Sequence, residues 1–261
     1  MRLVKGLLQR CTEVMHRLAA GAAGVSELAA ALDMPKSATH RLLQELVRLG
    51  WAERLQDGRY AASLRFALLG RDVLRRARLF DTIQPQLDAL AAELRELVRL
   101  TIADRGGLSW LASAQGAPAG LMYQPDMAGG LVLHATANGK AFLATHDDAT
   151  ACTLAGGALG AVRPPPRSIA TPAALLRELA LVRARGYAVA DEEAEPGVVA
   201  VAVAIRPHAG PATGTLSVAG PKVRMPDTQF PALVAALSRT AATLATIPPF
   251  EAREATACAS N

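Results

Sequence analysis

The feature that most constrains the fold is a pair of short helical patterns separated by a proline, within residues 25–50. In the first pattern Leu28 and Leu32 form an apolar i, i+4 pair, and Ser26 is the expected N-cap. Pro35 then ends the pattern, because a proline disfavours helical geometry in the residue before it. Pro35 also suits the first position of the next helix, where its missing N–H would be unpaired anyway. Two short helices joined by a tight turn predict a helix-turn-helix.

The second helical pattern spans residues 36–49 and has an apolar side and a polar side. Gly50 is expected to end it. The apolar side is formed by Ala38, Leu42, Leu46 and Leu49. The polar side carries cationic and hydrogen-bonding groups, namely Ser37, His40, Arg41, Gln44 and Arg48. On the second helix of a helix-turn-helix such a side reads DNA, whereas on most other helices it is only solvated surface.

A short β-hairpin is predicted directly after this helix, and an amphipathic helix over residues 3–18 precedes the pair. Residues 51–55 and 59–62 are strand-like, and Asp57-Gly58 between them is a strong hairpin signal. The hairpin predicts a winged helix, with Arg59 at the wing tip placed to contact phosphate or the minor groove. The same pattern is compatible with a protein-interaction module, so that alternative stays open here.

Charge separates the first 80 residues from the rest of the chain. Residues 1–80 hold 14 Lys and Arg against 7 Asp and Glu, a balance of +7, whereas residues 81–261 hold 14 against 16, a balance of −2. A positive field attracts polyanions and speeds their capture. The N-terminal third is therefore expected to bind nucleic acid, unless its charge is ordinary solvated surface.

Hydropathy and cysteine content indicate the compartment. No apolar stretch long enough for a membrane span is free of charge, and charged residues interrupt the N-terminal segment before a signal core could form. The odd and widely spaced cysteines, Cys11, Cys152 and Cys258, suit neither a disulfide framework nor a zinc site. We therefore expect a cytoplasmic protein without a metal or other cofactor and without membrane association.

The remainder of the chain predicts a second, mixed domain. Residues 64–99 are mostly helical in pattern, and Gly70 and Pro85 interrupt that pattern and are the expected hinge points. Strands are predicted over residues 100–104, 108–113, 120–123, 187–190, 198–206 and 213–219, with a turn at 105–107, and helices over 139–145, 147–154, 172–185 and 226–247. Strands in meander order with separate helices predict an α+β domain with an antiparallel sheet.

Three segments of this domain have the composition of a ligand pocket. Small residues lead from His134 to Asn138-Gly139 at a helix start beside a lysine, an arrangement suited either to a carboxylate or to a plain helical turn. A run of carboxylates begins at Asp191, and Ser217 lies on the last strand. His134 and Asp191 form a potential acid–base couple, so an enzyme acting on a small carboxylated compound is the alternative function. No dinucleotide, P-loop or G-x-S-x-G motif is present.

Four blocks in sequence order resemble the IclR family of bacterial transcription regulators, over about residues 4–247. They are VSELAAALDMPKSATHRLLQELVRLGWAE with DGRY, then HATANGKAFLA, then LLRELALVRARGYAVADEEAEPGV, then LSVAGP. The resemblance implies a winged helix over residues 1–63, a linker helix over 64–81, an effector domain with a GAF-like sheet over 82–247 and a flexible tail over 248–261. It also implies a homodimer or homotetramer that binds a double-stranded DNA operator and a small carboxylated or aromatic effector.

The patterns and the resemblance together assign two sites. Residues expected to contact DNA are Lys36, Ser37, Thr39, His40, Arg41, Gln44 and Arg59. Residues expected to line the effector pocket are Tyr123, Leu131, Ala137, Asn138, Gly139, Asp191, Ala200 and Ser217. Ala200 and Ala219 stand where family members often carry a cysteine and a hydroxyl. The pocket is therefore expected to be more apolar and to favour a larger or aromatic acid over a small oxoacid.

Overall fold

The computed structural model describes residues 6–104, 107–125, 131–156, 159, 169–207 and 210–251. The chain divides into two compact units, Met1–Arg78 and Leu79–Asn261, which we call the N-terminal and C-terminal units. In the described ranges no helix is both long enough and apolar enough to cross a membrane.

The N-terminal unit is a winged helix-turn-helix, as predicted. Its elements are α1 (Leu7–Ala20), α2 (Val25–Leu32), α3 (Lys36–Arg48), the antiparallel hairpin β1 (Ala52–Arg54) and β2 (Tyr60–Ala62), and α4 (Leu64–Arg76). The apolar sides of the first three helices meet the base of the hairpin in one core, which contains Val14, Leu18, Leu28, Leu32, Leu43, Leu46 and Tyr60. Gly50 follows α3 with φ +77°, a conformation that glycine adopts without strain.

The start of α2 and the buried side of α3 differ from the predictions. The N-cap of α2 is Gly24, so Ser26 lies inside the first turn instead of capping the helix. Pro35 is the N-cap of α3, whereas the sequence predicts it at the first position inside the helix. On α3 Thr39 and Leu43 are fully buried, whereas Leu49 is 43% exposed, because the buried stripe follows positions 39, 42, 43 and 46 at helical spacing.

The helical segment that follows the hairpin breaks at Arg78. Gly70 lies inside α4 and Pro85 lies inside α5 (Leu79–Leu94), so the predicted interruptions at these two residues are wrong. Arg78 has φ +49°, in the left-handed region, which ends right-handed helical geometry at that point.

The C-terminal unit is built on a five-stranded antiparallel sheet with the order β4-β3-β7-β6-β5. The strands are β3 (Leu97–Asp104), β4 (Gly107–Gln115), β5 (Ala188–Asp191), β6 (Val198–Ile205) and β7 (Gly214–Pro221). The helices are α6 (Ala137–Leu143), α7 (Asp148–Ala155), α8 (Pro172–Arg185) and α9 (Phe230–Leu244), with 3-10 turns at Lys222–Arg224 and Asp227–Gln229 before α9. The α+β prediction is therefore confirmed.

One predicted strand is wrong. Residues 120–123 form no strand; Gly120 has φ +118°, and the carbonyl of Tyr123 accepts a hydrogen bond from the side chain of Gln115 instead of joining a ladder. Most of the predicted turn at 105–107 falls outside the described residues. The α8 prediction holds at both ends, where Thr171 caps the helix and Gly186 closes it with φ +82°.

The predicted flexible tail is packed at its beginning. Phe250 is fully buried, and its carbonyl accepts a hydrogen bond from the Thr213 hydroxyl at 2.9 Å. Gly214 accommodates the ring, since a Cβ on Gly214 would lie 2.6 Å from Phe250 Cε1. The expected flexibility is thus wrong for residues 248–251, and the rest of the segment lies outside the described residues.

Candidate functional site

The exposed side of α3 carries most of the residues expected to contact DNA. Lys36, Ser37, Arg41 and Gln44 are exposed and His40 is half-buried. They occupy one side of the helix at spacings of three and four, opposite the buried stripe. The structure therefore brings these five side chains together on one surface.

Thr39 does not belong to this surface. Its side chain is fully buried, and its hydroxyl donates to the carbonyl of Pro35 at 3.1 Å. The backbone N–H of Thr39 donates to the same carbonyl at 3.0 Å. The expected DNA contact of Thr39 is therefore corrected: the residue anchors the first turn of α3 in the core.

Arg59 lies on the exposed wing and is already paired. Its Nε donates to Asp57 Oδ2 at 2.7 Å across the turn. The backbone N–H and the side chain of Arg59 together hold the pKa of Asp57 below its usual value. A phosphate would have to compete with this carboxylate for the guanidinium.

In the C-terminal unit, the start of α6 is capped by the protein itself. The Thr136 hydroxyl accepts a hydrogen bond from the N–H of Gly139 at 3.1 Å. The sequence predicts that this N–H is available to a ligand, and in the structure it is already engaged. Gly139 packs against the preceding turn, where an added Cβ would lie 2.2 Å from the carbonyl oxygen of Leu133. Gly139 is therefore needed for close packing. Leu131, another residue expected to line the pocket, lies half-buried in the segment that leads to this turn.

The lysine beside the helix start is also committed. Lys140 is 1% exposed, and its Nζ contacts Glu193 Oε1 at 2.6 Å and Glu178 Oε1 at 3.4 Å. Burial raises the pKa of Glu193, and the Lys140 ammonium opposes that shift. Lys140 thus forms a buried ion pair instead of a free anion site.

A chain of buried polar groups links α6 to the centre of the sheet. The hydroxyls of Thr101 and Thr215 lie 2.6 Å apart, and Asn138 Nδ2 donates to Thr215 Oγ1 at 2.9 Å. Asn138 Oδ1 is buried without a hydrogen-bond partner. Ser217 is fully buried and makes only a long contact, 3.5 Å, to the carbonyl of Arg99. Asn138 and Ser217 therefore both keep hydrogen-bonding capacity.

Beside these groups lies a floor of small apolar residues. One cluster contains Ala137, Ala141, Ala188, Ala190, Ala200, Ala202 and Ala219, with Tyr123 packed against it. The Tyr123 hydroxyl donates to Glu195 Oε1 at 3.0 Å, and burial raises the pKa of Tyr123 to about 12. The structure thus brings together Tyr123, Ala137, Asn138 and Ala200, four of the residues expected to line the pocket.

Lys222, which follows β7, pairs with two carboxylates of the acidic run that begins at Asp191. Lys222 Nζ contacts Asp191 at 2.7 Å and Glu192 at 3.0 Å, and these hydrogen bonds raise the pKa of Lys222. Across the described ranges no group of three His, Cys, Asp or Glu residues is arranged to hold a metal ion. Asp191, which is expected to contact the effector, therefore forms an ion pair with Lys222 in the structure.

The acid–base couple of the alternative function does not form. His134 is 1% exposed, its Nδ1 makes no hydrogen bond, and burial lowers its pKa. The Asp191 carboxylate is bound to Lys222 instead. His146 lies against the ring and carbonyl of Phe142, and His208 is outside the described residues.

Sequence reasoning missed one buried cation, Arg99 on β3. It is 7% exposed, and its guanidinium lies 4.4 Å from the ring centroid of Trp110 and 5.8 Å from that of Tyr123. The available signal was a single arginine within the otherwise apolar strand pattern Leu97–Asp104.

A winged helix with an exposed polar side and a separate sheet domain with a small-residue interior define a DNA-binding transcription regulator with an effector domain. The family description "IclR helix-turn-helix domain" matches residues 7–56, and "Bacterial transcriptional regulator IclR C-terminal" matches residues 71–246. The chain belongs to the IclR family of bacterial transcriptional regulators.

Curated relatives span most of the chain. It is 30% identical over 228 residues to the HTH-type transcriptional regulator BhcR of Paracoccus denitrificans, covering 87% of this chain and 81% of BhcR. It is 29% identical over 221 residues to the transcriptional repressor IclR of Escherichia coli, covering 82% and 80%. These relatives are transcription regulators, so they support the regulator and not the enzyme alternative.

Solved structures share the fold. A putative IclR regulator from Silicibacter has a TM-score of 0.81 at 24% identity and covers 95% of this chain and all 100% of its own. An IclR homolog from Microbacterium hydrocarbonoxydans, complexed with 4-hydroxybenzoate, has a TM-score of 0.66 at 24% identity and covers 92% and 98%.

Proposed function

We propose that the protein binds an operator as a dimer, or as a dimer of dimers, and that a small carboxylated or aromatic metabolite in the C-terminal unit modulates this binding. The observation that carries the proposal is the exposed side of α3, where Lys36, Ser37, His40, Arg41 and Gln44 share one surface. On a recognition helix, cationic groups contact phosphate and amide groups contact base edges.

The DNA part of the proposal is tested on operators selected from random duplexes by the full-length protein. Arg41→Ala should weaken binding to all sequences and lower the slope of affinity against salt by about one, between about 50 and 200 mM salt. Gln44→Ala should instead relax base preference at one position of each half-site. Arg177→Ala, which removes an exposed arginine from α8, is the matched control. Equal losses in Arg41→Ala and Arg177→Ala would contradict this interface.

A dimer is supported by the surface of α4. None of its residues is buried, and its exposed apolar side chains include Leu64, Phe66, Leu69 and Val73. A groove of about 570 Å³ lined by Met15, Trp51 and Phe66 among others adjoins it. Contiguous exposed apolar surface of this kind marks an association site, and a second copy of the chain is the proposed occupant.

Light scattering of the full-length protein tests the dimer. Leu69→Asp, with a side chain 51% exposed on α4, should lower the measured mass to that of a smaller assembly. Leu181→Asp, with a side chain 57% exposed on α8, is the matched control and should leave the mass unchanged. The selected operators should also be near-palindromic, and a single unrepeated half-site would contradict the dimer.

The effector part is supported by the alanine floor and by a relative's ligand. The cluster around Ala200 and Ala219 offers apolar contact, and the Microbacterium homolog is complexed with 4-hydroxybenzoate, an aromatic acid. Thermal-shift measurements with 4-hydroxybenzoate and with pyruvate distinguish an aromatic acid from a small oxoacid as the effector. Stabilisation by a ligand at about 100 times its Kd is about 2.7 kcal/mol. A shift with pyruvate alone would contradict the preference for an apolar acid.

A further inference from the structure

The sheet of the C-terminal unit holds a buried cation that no carboxylate neutralises directly. Arg99 is 7% exposed, and among the described residues no carboxylate oxygen lies within 4.0 Å of its guanidinium. Its Nε is buried and makes no hydrogen bond. Burial lowers the pKa of Arg99, but an arginine keeps its proton at physiological pH. Its charge therefore remains and needs a partner.

The groups that surround the guanidinium satisfy it only in part. The rings of Trp110 and Tyr123 lie 4.4 Å and 5.8 Å from it, which favours cation–π attraction. The Tyr123 hydroxyl, which donates to Glu195 at 3.0 Å, and the Glu195 carboxylate both favour the charged form of Arg99. Arg99 Nε still has no hydrogen-bond partner among the described residues. A planar acceptor such as a carboxylate is the missing complement.

Lys140, the other cation among the buried described residues of this unit, is paired with carboxylates. Lys140 is 1% exposed and contacts the carboxylates of Glu193 and Glu178. Both cations are removed from water, yet among the described residues only Lys140 has carboxylates within 4.0 Å. A buried charge without a partner is costly, so a residue kept in this state suits a ligand that supplies the counter-charge.

Strand register places Arg99 at the predicted pocket. Arg99 on β3 is the partner of Ser217 on β7, and Thr101, two residues on, is the partner of Thr215. Residues two apart share one face of a strand. Asn138 of α6 bonds to Thr215 on that face, so Arg99, Ser217 and the α6 contact lie on the same side of the sheet. The alanine floor, including Ala219 opposite Leu97, is on this side as well.

We propose that Arg99 determines effector specificity by binding the carboxylate of an aromatic acid, whose ring packs against Trp110, Tyr123 and the alanine floor. This inference rests on the proposed function, in which the C-terminal unit holds an effector. It moves the anion contact from the start of α6, where Thr136 already takes the Gly139 N–H, to the middle of β3.

Benzoate and benzamide, which have the same ring but differ in charge, are the probes. Calorimetry on the full-length wild type should show a preference for benzoate of about 10- to 150-fold, as expected for hydrogen bonds to a charged group. Arg99→Met, which keeps the packing length without the charge, should lose this preference. Arg99→Lys should keep part of it, because it keeps the charge but not the two-pronged geometry. Arg177→Met, on the exposed side of α8, should behave as wild type.

Two results would overturn the inference: benzoate preference retained in Arg99→Met, or no benzoate binding by the folded wild type. Neither result contradicts the proposed DNA-binding function, which is tested separately by salt-dependent binding to the selected operators. Loss of operator binding by the wild type would instead defeat the proposed function.

A measurement on the wild type covers the case in which Arg99→Met does not fold. The ¹⁵N–¹H resonance of Arg99 Nε, identified by its absence in Arg99→Lys, reports on a buried donor that now lacks an acceptor. Benzoate should shift this resonance downfield and benzamide should not. A resonance that stays in place while benzoate binds would place the carboxylate elsewhere.

Discussion

The two units use polar side chains in opposite ways. In the N-terminal unit the proposed contacts, such as Arg41 and Gln44, are exposed, and the Arg48–Glu45 ion pair lies in solvent. In the C-terminal unit Asn138 and Ser217 are fully buried and Lys140 pairs with carboxylates in the interior. A surface that meets a long, rigid polyanion must stay open, whereas a site for a small molecule must enclose it.

This difference shows where each unit is vulnerable. Exposed polar residues change affinity when substituted and leave the free energy of unfolding nearly unchanged. Buried polar residues are part of the fold, so their substitution alters stability together with any ligand contact.

Lys140→Met should lower the free energy of unfolding by about 3–5 kcal/mol, because it leaves Glu193 buried without its partner. The counterpart in the N-terminal unit is Arg48→Met, which breaks the exposed pair with Glu45 and should cost less than about 1 kcal/mol. Urea unfolding of both variants measures the difference. The double variant Lys140→Met/Glu193→Gln should recover part of the loss. Equal costs in the two units would break the comparison.

The cost of Lys140→Met should also depend on pH. Burial raises the pKa of Glu193 above 4.5, so the folded state binds this proton more readily than the unfolded state does. Stability from such a group is present at low pH and lost as the pH rises through the folded-state pKa. Removing Lys140 raises that pKa further, so the destabilisation should be larger at about pH 8 than at about pH 5. A constant or reversed difference would mean that Glu193 is not the group left unpaired.

Substitutions of two glycines inside helices, one in each unit, should change the free energy of unfolding in opposite directions. Gly139→Ala should cost about 1–3 kcal/mol, because its Cβ would lie 2.2 Å from the Leu133 carbonyl, a backbone atom that cannot turn away. Gly70→Ala in α4 has nothing within 4 Å of its Cβ and should stabilise by about 0.5–1 kcal/mol. Thermal unfolding measures both. A loss in Gly70→Ala would indicate that a partner packs closely against α4 in the assembly.

The smallest effect is expected at Thr39, which the sequence predicts as a DNA contact and the structure buries. Thr39→Val removes the hydroxyl donor to Pro35, whose carbonyl still accepts the Thr39 N–H, so the cost should be about 1 kcal/mol or less. Affinity for the selected operators should stay unchanged. A loss of operator affinity comparable to that of Arg41→Ala would return Thr39 to the interface.

Local sequence by itself determined the parts of the molecule in which neighbours along the chain are also neighbours in space. The helix-turn-helix, the wing at Asp57-Gly58 and both ends of α8 were predictable, since caps, turn residues and helical spacing act over a few residues. Even there, the burial of Thr39 escaped the prediction, because helical spacing alone leaves the width of the buried stripe open.

Tertiary structure alone decided how the polar groups of the candidate pocket are paired. From the sequence, the helix start at Asn138 and Gly139, beside Lys140, is the expected anion contact, and Arg99 is a single arginine in an apolar strand. In the fold Thr136 takes the Gly139 N–H and Glu193, 53 residues away, reaches Lys140, whereas no described carboxylate lies within 4.0 Å of Arg99. The central contact between Thr101 and Thr215 joins residues 114 apart. Such pairings depend on strand order and register, which no local pattern encodes, and they decide which buried charges have a carboxylate partner in the protein.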